Sequence, residues 1–224
     1  MPVPAPAAPS AGTVVFDMDK VLLGGDASTL FLRGRLRQSR GRTLALILAA
    51  PLLLPGAAVP QLRPLTARVM TRLAVGGSPD TDVDDIAEAY RSALQVKPEA
   101  AIADAIACVR KHQAAGQLVV VATGCEETLA RGFLTAVGLG DLEVIGSLGS
   151  YRPPRVRRAM GEGKVAMLIE RGHPPPWPVV YSDAATDIPL FAGAHRPVLV
   201  NGDEKDAAKI ARTLGRRPET VTWR

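Results

Sequence analysis

Aromatic residues are only 4% of the 224-residue chain, and none of them interleave with basic side chains in a way that would stack bases, so nucleic acid is not an expected partner. Cysteine is almost missing. Cys108 and Cys125 have neither metal-ligand spacing nor a disulfide framework, which fits a reducing compartment, and Cys108 falls on the apolar side of a helical pattern. Three scattered histidines, His112, His173 and His195, allow no His-based metal site or Ser-His-Asp triad to be argued from spacing, and each is expected at the surface. A bilayer span needs ~20 apolar residues in a row; the run Leu44 to Leu54 is well short of that and is cut by Pro51. The opening stretch 1–12 is rich in Pro and Ala, has no charged side chain, and lacks the basic region and apolar core of a signal peptide. It reads as a disordered tail on a cytoplasmic protein.

What is present is ample apolar material, 47% of the residues, enough to bury a full core as one domain with an elaboration or as two small ones. A net charge of +5 is a mild, scattered excess that favours anionic or phosphate-bearing partners. The chain is organised around Thr13-Val14-Val15-Phe16-Asp17-Met18-Asp19-Lys20-Val21. Its apolar part reads as a buried strand that delivers two carboxylates to its carboxyl end, where open α/β sheets form their sites. Asp17 and Asp19 repel each other, and a divalent cation resolves that repulsion. The plainer reading of the same residues is a strand end followed by an Asx-type turn.

From Ala27 to Val96 the pattern turns helical with no clear strand, which marks an inserted helical unit over 27–96 between core segments 13–26 and 97–224. Inside it Arg33, Arg35, Arg37, Arg40 and Arg42 precede the apolar run. On one helix Arg33, Arg37 and Arg40 would share a face with Arg35 and Arg42 opposite. This is either a solvated helix feeding a hairpin whose apolar side packs on the main domain, the preferred reading, or a basic and apolar surface that rests on anionic lipid. Ser78-Pro79-Asp80 offers an N-cap for a helix bearing Ile86, Tyr90 and Leu94. A second helix is expected from near Pro98 to Gly116.

After Gly116, strands are expected at 118–122, 142–145, 178–181, 197–200 and, as an edge, 220–223, alternating with helices at 126–137, 163–171 and 204–214. That alternation predicts an α/β fold, a Rossmann-like, mainly parallel sheet with helices on both faces. Thr123-Gly124 follows the first of these strands, where a hydroxyl and free backbone N–H groups can hold an anion or Thr123 can simply cap the helix. Lys164 lies in a first helical turn, where the dipole disfavours a cation unless an anion is near. Ser182-Asp183 and Asp187-Ile188-Pro189-Leu190 again place two carboxylates just beyond a strand.

Four such elements in this order resemble the haloacid dehalogenase superfamily of aspartate-nucleophile phosphatases. The insertion before Thr123, Gly163-Lys164-Val165 and Ser182 to Leu190 resemble its phosphoserine-phosphatase-like IB branch, which includes phosphatidylglycerophosphatase C. The resemblance implies that Asp17 is the nucleophile, Asp19 the acid and base, and Lys164 a catalytic and phosphate-binding cation. Thr123 and Gly124 would hold the phosphoryl group. Asp17, the Asp19 carbonyl and Asp183 would ligate Mg²⁺, with Asp187 orienting Lys164 or a metal-bound water. It further implies a helical cap at 27–96 that selects the substrate, whose apolar and arginine-rich content suits a hydrophobic or lipid phosphomonoester. Peripheral contact at the inner face of the membrane stays open, as do two other readings: a phosphotransferase using the same aspartyl-phosphate, and a silent binding module. The chain departs from the family at Lys20 and Val21, where glycine and threonine are usual. The stretch with Arg152, Arg155, Arg157 and Arg158 around Pro153-Pro154 reads as a solvated loop in preference to an extra anion contact.

Overall fold

The computed structural model describes residues 12–59, 62, 66, 82–148 and 157–224. The tail 1–11, the Ser78-Pro79-Asp80 cap, and Arg152 and Arg155 lie outside the described residues.

Six strands form one sheet in which every neighbouring pair is parallel. They are β1 (Thr13–Phe16), β2 (Leu118–Glu126), β3 (Glu143–Ser147), β4 (Trp177–Ser182), β5 (Ala194–Val200) and β6 (Glu219–Val221), in the order β3-β2-β1-β4-β5-β6. The chain winds outward from β1 in one direction and then crosses to wind outward in the other. The carboxyl ends of β1 and β4 therefore flank the point where loops diverge to opposite faces and leave a crevice.

Period-two alternation sorts the strand residues onto two buried faces. Val14, Phe16, Val119 and Val121 join one apolar cluster and Val15, Val120, Ala122 and Val180 the other. The first cluster is covered by α1 (Ala27–Gln38), α3 (Val83–Leu94), α4 (Ala103–Ala114) and α5 (Glu127–Ala136). The second is covered by α6 (Glu162–Glu170), α7 (Ile188–Ala192) and α8 (Glu204–Leu214). Between α1 and α3 of the first set lies α2 (Arg40–Ala58). Phe31, Ile86, Tyr90 and Phe133 interlock where α1, α3 and α5 meet. The approach is close: a Cβ on Gly34 would fall on the Ala89 carbonyl, and one on Gly132 would fall on the Ile86 side chain. Thus α1 and α3 are rooted in the same core as β1.

Several details differ from the sequence reading. Ser39 adopts extended backbone (φ −149°, ψ 113°), ends α1 and caps α2 through its hydroxyl, so Arg40 and Arg42 are not on the helix that carries Arg33, Arg35 and Arg37. Arg33, Arg37 and Arg40 are exposed while Arg35 is buried. Pro51 does not cut the apolar run; both it and Pro55 lie within α2. A proline there leaves a carbonyl one turn back without its N–H. Leu44, Ile47 and Leu48 of α2 are 58%, 62% and 70% exposed, so that side of the run does not pack on the main domain. Among the described residues no helix is long and apolar enough to cross a membrane.

The helix bearing Ile86 is capped by Asp82, whose carboxylate accepts from the Asp84 N–H. His112 and His173 are buried, contrary to their expected surface placement, and only His195 of the three is exposed. The imidazole of His112 reaches the Tyr181 hydroxyl at 3.0 Å and Gln117 at 2.6 Å. That of His173 reaches Glu143 and Thr13 at 2.9 Å and 3.2 Å. Each ring is an amphipathic plug whose polar atoms find partners inside, which single-residue spacing cannot reveal.

Candidate active site

The site begins where β1 ends. Phe16 pairs with Val121 of β2 and Tyr181 of β4, so Asp17 emerges level with the end of β4 and with Ala122, where the apolar part of β2 stops, and its N–H still donates to the Tyr181 carbonyl at 2.8 Å. The chain then turns sharply, with the Met18 carbonyl accepting from the N–H groups of Val21, Leu22 and Leu23. Met18 is fully buried in the first cluster, which leaves the flanking Asp17 and Asp19 to the other side of the chain.

Asp17 is 7% exposed. Its Oδ1 accepts from the Met18 N–H at 2.8 Å and lies 3.3 Å from Lys164 Nζ. Burial pushes its carboxyl up to about 7, with Lys164 opposing and Asp187 and Asp183 reinforcing the rise. Asp19 is half-buried; its Oδ1 accepts from the Ala27 N–H at 3.2 Å. Burial, then the neighbouring Asp26, raise it to about 6.

Lys164 comes from the start of α6, after Gly161 at φ 53°. It is 3% exposed and donates to Asp187 Oδ2 at 2.7 Å. Burial alone would lower its affinity for a proton, but the Asp17 and Asp187 carboxylates overcome it and the net shift is upward. Asp187 also accepts from the Ser182 hydroxyl at 2.7 Å. The position of the lysine in a first helical turn, unfavourable by itself, is thus explained by two carboxylates from two other segments. Asp183 follows β4; burial raises its carboxyl, and Lys20 Nζ, 3.4 Å away, works against the rise.

On the other side of β1, Thr123 is fully buried and its Oγ1 accepts from the Cys125 N–H at 3.1 Å. It does not cap α5. That role belongs to Glu126, whose carboxylate accepts from the Thr128 and Leu129 N–H groups, because β2 runs four residues further than its apolar stretch. Gly124 is exposed and its carbonyl accepts from the Ser147 hydroxyl.

The structure therefore joins Asp17, Lys164 and Asp187 directly, sets Asp183 beside Lys20, and leaves Thr123 and Gly124 on the adjoining strand end. The Ser182 contact with Asp187 was not read from the sequence, although a serine directly before Asp183 at a strand end is its signal. Lys20 puts its charge beside the site by its place in the first motif, but its pairing with Asp183 depends on a loop path that no local pattern encodes.

A metal here would rest on little side-chain support. Among the described residues no group of three or more His, Cys, Asp or Glu side chains is placed to enclose an ion, and the Asp19 carboxylate is turned to Ala27. The remaining donors, Asp17, Asp183 and a backbone carbonyl, are hard oxygens completed by water, a set that fits Mg²⁺. The like-charge pressure among Asp17, Asp183 and Asp187 is what a divalent cation would relieve.

The haloacid dehalogenase-like hydrolase family model matches residues 14–192. No curated protein matches the chain. Among solved structures, the fold is similar to that of a protein of unknown function from Bordetella pertussis Tohama I, with a TM-score of 0.67 and 21% identity over 95% of this chain and 99% of that one. It is also similar to a HAD family hydrolase from Salmonella enterica serovar Typhi, at 0.54 and 14% over 96% and 68%. A substrate-bound phosphoserine phosphatase matches at 0.52 and 13% over 95% and 93%. At these identities the structures speak to the fold.

Proposed function

The chain belongs to the haloacid dehalogenase-like hydrolases, and from that premise we propose that it is a phosphomonoester hydrolase working through an aspartyl-phosphate on Asp17. The observation that carries this reading is the buried Asp17–Lys164–Asp187 set at the end of β1, with contacts of 3.3 and 2.7 Å. A phosphate ester repels nucleophiles through its own oxygens, so positive charge must be gathered around it first. Lys164 is a cation fixed beside the attacking oxygen, and Asp187 with Ser182 holds its ammonium in place. Mg²⁺, held by Asp17, Asp183 and the Asp19 carbonyl, would supply further positive charge for the phosphoryl oxygens and keep Asp17 ionised.

A carboxylate oxygen of Asp17 attacks phosphorus as the bond to the leaving oxygen breaks, and protonated Asp19 gives that oxygen its proton. In the second half Asp19, now ionised, takes a proton from water. The water oxygen attacks phosphorus, the bond to Asp17 breaks, and inorganic phosphate leaves. A carboxyl raised to about 6 suits a group that must both give and take a proton near neutrality. Thr123 and the Gly124 backbone would hold the phosphoryl oxygens from the β2 side.

The insertion 27–96 would be the cap, footed on the core through α1 and α3. Ala27 to Pro79 carries eight arginines and no acidic residue, which makes the rest of the chain net negative. That concentration, with Leu44, Ile47 and Leu48 in solvent, supports a hydrophobic or lipid phosphate as substrate and peripheral contact with an anionic bilayer. The fold likeness to a phosphoserine phosphatase supports a phosphomonoester more generally.

A panel of soluble and lipid phosphomonoesters assayed with Mg²⁺ and with chelator tests the reading. Phosphate release that needs the metal and disappears in Asp17→Asn, with the melting temperature kept, is expected. Release by Asp17→Asn at the wild-type rate would refute the mechanism. Added alcohols that capture the phosphoryl group in preference to water would reassign the protein as a phosphotransferase.

A further inference from the structure

Lys20 and Asn201 are the non-glycine residues held at positive φ among the described residues, at 58° and 53°, and they touch: the Asn201 Nδ2 donates to the Lys20 carbonyl at 3.4 Å. A side chain in this left-handed region is strained where glycine would not be, and such strain persists only where the surroundings over-determine it. Asn201 is itself tied down. Its N–H donates to the Val221 carbonyl at 2.9 Å, and its Oδ1 accepts from the Trp223 N–H at 2.8 Å. The end of β5 and the C-terminal edge thus grip the loop after β1 and fix where the Lys20 side chain starts.

That side chain ends at Asp183, 3.4 Å from Nζ to Oδ2, with the lysine 70% exposed and the aspartate 15%. The two lysines of the site are thereby divided. Lys164, buried, pairs with Asp17 and Asp187, whereas Asp183 is paired with a lysine that stands in water. We propose that Lys20 is a built-in competitor for the metal: it pairs with the carboxylate that the ion would take and must swing into solvent when the ion binds. A long, exposed side chain can do so at little cost, which the buried Lys164 could not. The ion then binds against the residual repulsion of a nearby ammonium, so the site fills at a higher metal concentration than it would with a neutral residue at this position. The inference rests on the reading of Asp183 as a ligand.

Mg²⁺ titrated calorimetrically into the full chain separates the two. At low ionic strength Lys20→Gln should bind Mg²⁺ with a Kd about three- to tenfold lower than the wild type, from removal of one unit charge that, once swung aside, stands roughly 6–13 Å from the divalent ion in water-like dielectric. The gap should narrow as salt is added. Lys20→Gly should show the same gain and, in addition, a higher melting temperature without metal, because glycine accepts positive φ freely. Asp183→Asn should bind the ion more weakly than all of these. An equal or higher Kd in both Lys20 variants would overturn the competitor role and leave the hydrolase reading standing. Absence of Mg²⁺ binding by the wild type and Lys20→Gln alike, at millimolar metal, would sink the metal site and this inference together.

Discussion

The carboxylates at the strand ends differ in what surrounds them. Asp17 is buried against Lys164, Asp19 is half-buried against the Ala27 amide, and Asp187 is bound to Lys164 and Ser182. If Asp19 delivers the proton to the leaving group, its loss should depend on how badly that group needs one. Asp19→Asn is expected to slow alkyl phosphates at least tenfold more than activated aryl phosphates, measured as kcat on matched substrates; equal losses would remove the acid role. Ser182 makes a prediction of another kind. Its hydroxyl is fully buried and donates to Asp187 at 2.7 Å, and a hydrogen bond to a charged acceptor contributes about 1.5–3 kcal/mol. Ser182→Ala should lower unfolding stability by about that amount in urea titration and reduce kcat, since Asp187 then holds Lys164 with one tether fewer.

Among the elements, α2 is the one whose composition and surroundings disagree most. It is apolar, contains two prolines, follows the break at Ser39, and leaves Leu44, Ile47 and Leu48 largely in solvent. Arg33 and Arg37 on α1 and Arg40 at the start of α2 are exposed nearby in the chain. Near an anionic bilayer each arginine contributes about 1 kcal/mol, so three together amount to roughly two orders of magnitude in binding. Full-length protein should co-sediment with phosphatidylserine vesicles at low salt and be released at high salt, while Arg33/Arg37/Arg40→Gln should stay in solution and still hydrolyse a small soluble phosphate. A wild type that ignores such vesicles at low salt would end the membrane reading and point to a soluble substrate.

At the scale of the whole molecule, stability carries a pH signature that does not involve the site's carboxylates. His112 is 2% exposed, and burial lowers its proton affinity below the ordinary 6.5. The groups that face it are Gln117, the Tyr181 hydroxyl and the Arg196 guanidinium, and none offers a negative charge to an imidazolium. The unfolded chain therefore binds a proton near pH 6.5 that the folded chain still refuses. Stability from this residue is complete above about pH 6.5 and falls as the pH drops below it, by at most about 1.4 kcal/mol per pH unit. Because the raised carboxyls of Asp17 and Asp19 pull the other way in both proteins, urea midpoints measured from pH 7.5 to 5, each compared with its own value at pH 7.5, should fall further or rise less in the wild type than in His112→Gln. Parallel curves would assign the pH dependence to other groups.

The sequence by itself determined the parallel α/β alternation and the residues that gather at the strand ends, because both are written locally. Apolar runs such as Val119 to Ala122 have one low-energy use in a sheet covered on both faces. Asp17 and Asp183 each follow a strand, Lys164 lies in the first turn of a helix, and Thr123 follows the apolar part of β2. α8 was legible to its ends, Glu204 and Leu214, since Asp203 caps it and Gly215 closes it at φ 67°. Only the tertiary structure decided what those residues touch. That Lys164 meets Asp187 and Asp17, that His112 and His173 are inside, and that Asn201 holds the strained Lys20 against Asp183 all depend on segments far apart in the chain. The ends of α2 were missed for the opposite reason. Proline propensity pointed to a break at Pro51, and the actual break is at Ser39, where the extended backbone lets α1 remain on the core while α2 leaves it. Local pattern reports what a residue can do; packing and the charges brought beside it decide which of those things it does.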